Sequence, residues 1–305
     1  MMTRIACIGE CMIELFEDAA SGPGSMRRTW GGDTLNSAVY LARELADRQA
    51  RVHYVTVLGD DPYSAEMLDG WTAEGIDTSL TERLPGGLPG LYTIRVDERG
   101  EREFLYWRDR AAARQLFATA GAEQTLAALA GFDWLYFSGI TLAILSPGAR
   151  EKLMDLCRGV RKRGGQVAFD TNFRPRLWPD REEARAVIGQ AWQNASVALP
   201  TFEDEAALFG DENAATTVAR LRDAGCGEIV VKRGADPCVV ALNGEMLEVA
   251  AAPVSQVIDS TAAGDSFNAA YIAARIAGQL PNEAAKAGHA LAARVIGQRG
   301  AIIQR

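Results

Sequence analysis

Residues 257–267 read Val257-Ile258-Asp259-Ser260-Thr261-Ala262-Ala263-Gly264-Asp265-Ser266-Phe267, and the rest of the chain is best understood outward from them. A strand-like lead meets a run of small residues. An amphipathic helix follows, with Phe267, Tyr271 and Ala274 on one side. Without bulky side chains, the amides of Ala262, Ala263, Gly264 and Asp265 are expected to point at one spot beside the helix N-terminus. Such a cradle stabilises an anion of phosphoryl size. Asp265 stands in it as a carboxylate able to take the proton of an attacking hydroxyl. Taken singly, Ser260, Thr261 or Asp265 reads equally well as a helix cap.

Upstream, short β-rich runs alternate with longer helical patterns, the arrangement of parallel strands joined by crossover helices. The expected strands are Arg4-Gly9, His53-Leu58, Trp134-Ser138, Gln166-Asp170, Ala195-Leu199 and Glu228-Lys232. Several are continuous apolar runs, which predicts a central sheet covered on both faces. Between Leu91 and Tyr106 the pattern changes to alternation. Tyr92, Ile94 and Val96 share a face, a turn is read at Glu98-Arg99-Gly100, and Phe104 and Tyr106 follow. This predicts an antiparallel hairpin apart from the main sheet. No repeat, low-complexity tract or linker divides the chain, so residues 1–305 read as one domain.

Composition narrows the function classes. The chain has 305 residues, 48% of them hydrophobic, a formal net charge of -8 and a pI near 5.0. That balance gives no basic patch for nucleic acid or an anionic membrane surface. The opening apolar residues, Ile5 to Leu15, are interrupted by Glu10 and Glu14, and no run reaches the roughly 20 residues of a membrane span. A cytoplasmic protein acting on small molecules is the expectation. The five cysteines, Cys7, Cys11, Cys157, Cys226 and Cys238, read as reduced core thiols. The two histidines, His53 and His289, lack partners at zinc-like spacing.

The stretch Asp259-Ser260-Thr261-Ala262-Ala263-Gly264-Asp265 resembles the carboxy-terminal signature of the phosphofructokinase-B, or ribokinase-like, carbohydrate kinases, an Asp-Thr-x-Gly-Ala-Gly-Asp pattern. Ser260 and Ala262 stand where Thr and Gly are common. Gly31-Gly32-Asp33-Thr34-Leu35-Asn36-Ser37-Ala38, followed by a helix through Val39, Leu41 and Ala42, resembles the amino-terminal signature of the same family. Two such signatures in this order are far more specific than either alone. The resemblance implies a ribokinase-like α/β fold, with a mainly parallel sheet flanked by helices and a small antiparallel β lid from roughly residues 11–31 and 90–110. It also implies ATP as phosphoryl donor, Mg2+ at the phosphates and Asp265 as general base beside the Ala262, Ala263 and Gly264 amides. K+ near Ser260 is left open.

No Gly-x-x-x-x-Gly-Lys-Ser/Thr loop and no Gly-x-Gly-x-x-Gly turn is present, so nucleotide binding is carried by the resemblance. It implies that Lys232 and Gly234, after strand Ile229-Val230-Val231, contact nucleotide. Asp236-Pro237 stands where a further glycine is common. His289 falls on the helix flanking adenine, and Thr201 and Asp204 fall in the family's Asn-x-x-Glu segment. No direct protein ligand to the metal is expected, although Asp204 can order metal-bound water. Lys232 reads otherwise as a surface lysine, and His289 as a packing residue.

Arginine forks suit carboxylate better than a neutral sugar, so Arg108 and Arg174 favour a sugar acid as acceptor unless both form surface ion pairs. Within the family, Leu91-Tyr92-Thr93-Ile94, Tyr106-Trp107-Arg108 and Asp170-Thr171-Asn172-Phe173-Arg174 resemble segments of the 2-keto-3-deoxygluconate kinase branch. That branch implies Gly32, Tyr92, Tyr106, Arg108, Arg174 and Asp265 around the acceptor and phosphorylation to the 6-phosphate. Asp33 and Asn36 of the first signature are further candidates there, Asn36 offering both donor and acceptor to sugar hydroxyls. An apolar protruding lid is also expected to form homo-oligomers through itself. The alternatives are a fructokinase or related sugar kinase, and a silent sugar-binding regulator on the same fold. An intact Asp265 weighs against silence.

Overall fold

The computed structural model describes residues 2–17, 22, 24–96 and 102–305. Numbered along the chain, the strands are β1 Thr3–Ile8, β2 Met12–Glu17, β3 Met26–Gly31, β4 Ala50–Val55, β5 Val57–Gly59, β6 Glu82–Leu84 and β7 Gly90–Val96. The remainder are β8 Arg102–Trp107, β9 Trp134–Ser138, β10 Gln166–Asp170, β11 Val197–Ala198, β12 Glu228–Arg233, β13 Asp236–Leu242 and β14 Glu245–Val249. The helices are α1 Asp33–Glu44, α2 Pro62–Ala73, α3 Ala122–Leu129, α4 Gly139–Ile144 and α5 Pro147–Lys162. They continue as α6 Arg181–Asn194, α7 Phe202–Phe209, α8 Ala214–Asp223, α9 Ala263–Ile276 and α10 Pro281–Ile296.

One sheet has the order β14-β13-β12-β11-β10-β9-β1-β4, parallel from β12 to β4 and antiparallel from β12 to β14. Because successive side chains on a strand point to opposite faces, apolar runs feed two cores at once. Ala6 and Ile8 pack with Leu142, Leu153, Ile188 and Leu221 of α4, α5, α6 and α8. Ile5 and Cys7 pack with Leu35, Trp71, Phe267 and Leu291 of α1, α2, α9 and α10. All five cysteines are buried and free, as expected. The chain runs outward from β1 in both directions, to β4 and, through β9, to β12. The carboxyl ends of β1 and β9 therefore flank a topological switch point, where open α/β sheets bind ligands.

The predicted hairpin, β7 and β8, stands in a second sheet of order β3-β2-β7-β8. Its register places Tyr92 opposite Tyr106 and Ile94 opposite Phe104, so the residues that the alternation put on one face do share it. The turn read at residues 98–100 lies outside the described residues. Both hairpins of this sheet are antiparallel, but β2 and β7 meet in parallel, because both leave the body in the same direction. Two expected strands are shorter than read. His53-Leu58 breaks at Thr56, whose carbonyl accepts the Glu82 amide at 3.0 Å, so that β5 pairs with β6 instead. The run 195–199 keeps only β11, although the Leu199 amide still reaches the Phe169 carbonyl at 2.9 Å.

Helix α9 follows Ala262, which has φ 60° and ψ 17°. A side chain in this left-handed region is strained by roughly 1–2 kcal/mol, which explains why Gly is favoured there. Helices α9 and α10 pack closely at Gly288, where a Cβ would stand 2.8 Å from the buried ring of Phe267. Gly288→Ala is therefore expected to lose about 1–3 kcal/mol of stability by overpacking. Equilibrium urea denaturation checks this, and an unchanged midpoint would mean that Phe267 yields freely.

Candidate active site

The two signature segments, far apart in the chain, meet at the carboxyl end of the sheet. Asn36 Nδ2 in α1 donates to Asp265 Oδ2 at 2.9 Å, and Ser37 Oγ donates to the Asp265 carbonyl at 3.1 Å. Gly32 is required where α1 begins, since a Cβ there would stand 2.1 Å from the Glu10 carbonyl oxygen. At the start of α9, the Ser266 amide closes the first turn on the Ala262 carbonyl at 2.9 Å. The Ala263 amide bends back to the Ser260 carbonyl at 3.3 Å, so it does not join the cradle as freely as expected. Gly264 and Asp265 occupy the helical positions whose amides lack intrahelical acceptors. Asp259 braces the loop by accepting the Thr261 amide at 2.9 Å and the Gly300 amide at 2.8 Å.

Lys232 is no surface lysine. Its Nζ is buried, donating to Asp170 Oδ2 at 2.7 Å and Asn268 Oδ1 at 3.0 Å. Asn268 completes the network by donating to Asp170 Oδ2 at 2.6 Å and to the Tyr136 hydroxyl at 3.1 Å. A Cβ on Gly264 would lie 3.5 Å from Lys232 Nζ, which brings the ammonium to the first turn of α9. Thr201 bridges to Lys232, and the Asp204 carboxylate accepts the Phe173 amide at 3.1 Å. Gly234 takes φ 60° in the tight turn between β12 and β13, so Asp236-Pro237 opens a strand rather than lengthening a loop.

Three carboxyls here are shifted upward, first of all by burial. Asp265 is pushed up to about 8, with the Asp33 charge adding to desolvation and the Asn36 bond opposing it. Asp33 is raised for the same reason, partly offset by hydrogen bonds from Ser138 and the Thr34 amide, and it accepts Asn172 Nδ2 at 2.8 Å. Asp204 is raised to about 6 by burial and the neighbouring Asp170 charge. Asn172 stands at φ 32°, its amide closing on Asp170 Oδ1 at 3.2 Å. With its amide nitrogen on Asp265, Asn36 offers mainly Oδ1, a buried acceptor without a partner among the described residues.

The small sheet brings Tyr92 and Tyr106 side by side, ring centroids 5.7 Å apart. Tyr92 is buried and its hydroxyl donates to Glu14, whereas Tyr106 is 47% exposed. Arg108 is 6% exposed and paired with the buried Glu10, not with a surface partner. Arg174 is exposed and donates to the Phe173 carbonyl at 3.1 Å. Burial raises the Tyr106 phenol, and Arg108, Arg174 and Arg176 pull it back, so all three guanidiniums act on this one ring. His289 is buried edge-on against Phe267, centroids 5.0 Å apart, and burial lowers its pKa. That is the contact of a packing residue.

Sequence reasoning did not single out Glu10, Asp170, Asn268 or Arg176 for the site. Asp170 opens the segment Asp170-Thr171-Asn172-Phe173-Arg174, Arg176 lies two residues beyond it, and Asn268 lies three residues beyond Asp265, one helical turn away. Glu10 carried only the signal of a charged residue interrupting an apolar run. Among the described residues, no group of three or more His, Cys, Asp or Glu side chains could hold a metal ion, and no helix is long and apolar enough to cross a membrane.

Residues 2–305 match the model of the pfkB family carbohydrate kinases. The chain is 50% identical over 308 residues to 2-dehydro-3-deoxygluconokinase of Escherichia coli, covering 100% of this chain and 98% of that one. It is 46% identical over 303 residues to 2-dehydro-3-deoxygluconokinase of Dickeya dadantii, covering 98% and 96%. Among solved structures, the PfkB protein from Polaromonas sp. JS666 superposes with a TM-score of 0.83 at 28% identity, over 97% of this chain and 96% of that one. With both family signatures joined at one carboxylate, and with relatives this similar along their whole length, the chain belongs to the pfkB family of carbohydrate kinases.

Proposed function

We propose that this sugar kinase transfers the γ-phosphoryl group of ATP to the terminal hydroxyl of 2-keto-3-deoxygluconate, the 2-dehydro-3-deoxygluconate of its relatives' names, yielding the 6-phosphate and ADP. The observation that carries the reading is the 50% identity along the whole chain to the Escherichia coli kinase. In this reading the hydroxyl oxygen attacks the γ-phosphorus, its proton passes to Asp265, and the bond to the β-phosphate oxygen breaks toward ADP. The Gly264 and Asp265 amides and the Lys232 ammonium stabilise the charge on the transferred group. Gly32, Asp33 and Asn36 line the acceptor side, and Thr201 and Gly234 the nucleotide side. His289 supports the adenine side only through packing.

Mg2+ fits this site as a phosphate-bound ion with no direct carboxylate ligand, with Asp204 as contact to its water shell. Once bound, it supplies charge neutralisation at the β- and γ-phosphates. A K+ near Ser260 is compatible with the carboxylate of Asp259 bracing that loop. The small sheet is read as a lid, since Tyr92 is buried beside the body while Tyr106 on the same face and Leu105 and Trp107 on the other stand 47%, 39% and 59% exposed. Those exposed side chains also support homo-oligomers through this sheet.

Asp265→Asn should lower kcat by about 10²–10⁴, measured as ADP release with the sugar acid and Mg-ATP; normal turnover would remove Asp265 from the base role. Because the base works ionised and burial raises its pKa, kcat/KM for the acceptor should climb with pH through the region near 8. Asp33→Asn removes a neighbouring negative charge and should move that limb to lower pH. A limb that stays in place would show that Asp33 does not act on the base. Over a panel of sugar acids, fructose and ribose, the sugar acid should be preferred, and Arg174→Ala should raise its KM by roughly tenfold with little change in kcat. A preference for fructose would overturn the sugar-acid reading.

A further inference from the structure

Glu10 and Arg108 meet at the joint between the two sheets. Glu10 follows β1 and leads into β2, while Arg108 follows β8. Their side chains are 1% and 6% exposed. The backbone around them is built to admit the pair: a Cβ on Gly90 would stand 3.1 Å from Glu10 Oε1 and 3.3 Å from Arg108 Cβ. The Glu10 carbonyl is held against Gly32 of the amino-terminal signature. Yet the pairing is made through one nitrogen and one oxygen. Glu10 Oε1 and Arg108 Nε are buried with no hydrogen-bond partner among the described residues.

A buried ion pair that leaves donors and acceptors unmatched is a poor source of stability, because the desolvation of both charges outweighs a single contact. What such a pair does provide is orientation. Arg108 Cζ stands 5.6 Å from the Tyr106 ring centroid, and Arg108, Arg174, Arg176 and Glu10 all act on that phenol. The guanidinium thus lies beside the aromatic pair that the small sheet brings together. Held by one N–H, it keeps further donors for a second carboxylate.

We propose that Glu10 is the positioning residue for Arg108: by accepting one of its N–H groups, Glu10 holds the guanidinium for the carboxylate of a sugar acid and so sets the preference for acidic over neutral acceptors. The inference rests on the sugar-acid reading above. Glu10 acts through Arg108 and does not touch the reacting atoms.

A double-mutant cycle in the full-length protein tests it, with KM for the sugar acid, KM for ATP, kcat and Tm measured for each variant. Glu10→Gln and Arg108→Met should each raise the sugar-acid KM about tenfold, leave the ATP KM unchanged and change kcat less than about threefold. The double variant should be no worse than Arg108→Met alone, because a residue that acts only through its partner contributes nothing once the partner is gone. Glu10→Asp should recover part of the affinity. An unchanged KM in Glu10→Gln, a further rise in the double variant, or an equal rise in the ATP KM would overturn the proposal. Should Glu10→Gln fail to fold with an unpaired buried arginine, Glu10→Asp takes its place in the cycle: it should raise the sugar-acid KM severalfold and not the ATP KM, and an unchanged sugar-acid KM would overturn the proposal. Wild-type protein that phosphorylates fructose but not the sugar acid would instead overturn the substrate reading, without any variant.

Discussion

The buried ammonium of Lys232 is the constraint on which the site depends. It joins Asp170 at the end of β10, Asn268 in α9 and its own strand β12. Through Asn268 and Tyr136 the same network reaches β9. A lone charge at this depth would be strongly unfavourable, so β10, β12 and α9 keep their relative positions to satisfy it. The first turn of α9, where the Gly264 and Asp265 amides lack intrahelical acceptors, is thereby set at the carboxyl end of the sheet. The ion pair gives the site its geometry more than it gives the fold its stability.

Around that anchor, charge is arranged by opposition. Burial disfavours ionisation of both Asp33 and Asp265, and a neighbouring charge adds to it, Asp33 acting on Asp265 and Asp170 on Asp33. Asn172 and Asn36 each hold one of them with an amide nitrogen. An amide orients a carboxylate without neutralising it, which suits a base that must release and accept a proton in turn. Lys232, by contrast, has its carboxylate already, and the positive charge it offers an incoming phosphate is tempered by Asp170. The helix amides and the ammonium together favour an anion without trapping one.

The small sheet solves a different problem. Arg108 and the two tyrosines are carried on strands remote from the main sheet, so they need a contact that registers them against the body. Glu10 and Glu14 supply it, both from the segment leading from β1 through β2. Gly31, Gly32 and Gly90 leave room for those contacts at the points where the two sheets meet.

The residues of this chain determined by themselves which segments become covered strands, because apolar runs with no polar face can only be buried on both sides. They also determined that Tyr92 and Ile94 share a face, because successive side chains on a strand alternate; which residue of β8 stands opposite each depends on the turn as well. A further hairpin was legible but unread: Asn243-Gly244, at φ 52° and 85°, is the strongest two-residue turn signal and links β13 to β14. Tertiary structure alone decided the partners of charged side chains. Whether Lys232 is exposed or locked to Asp170, and whether Arg108 is free or held by Glu10, depends on strand order and helix docking. Those contacts span 62 and 98 residues of chain, and no local pattern encodes them. The left-handed backbone of Ala262 is of the same kind, since the path of the turn sets its φ and the side chain only bears the strain.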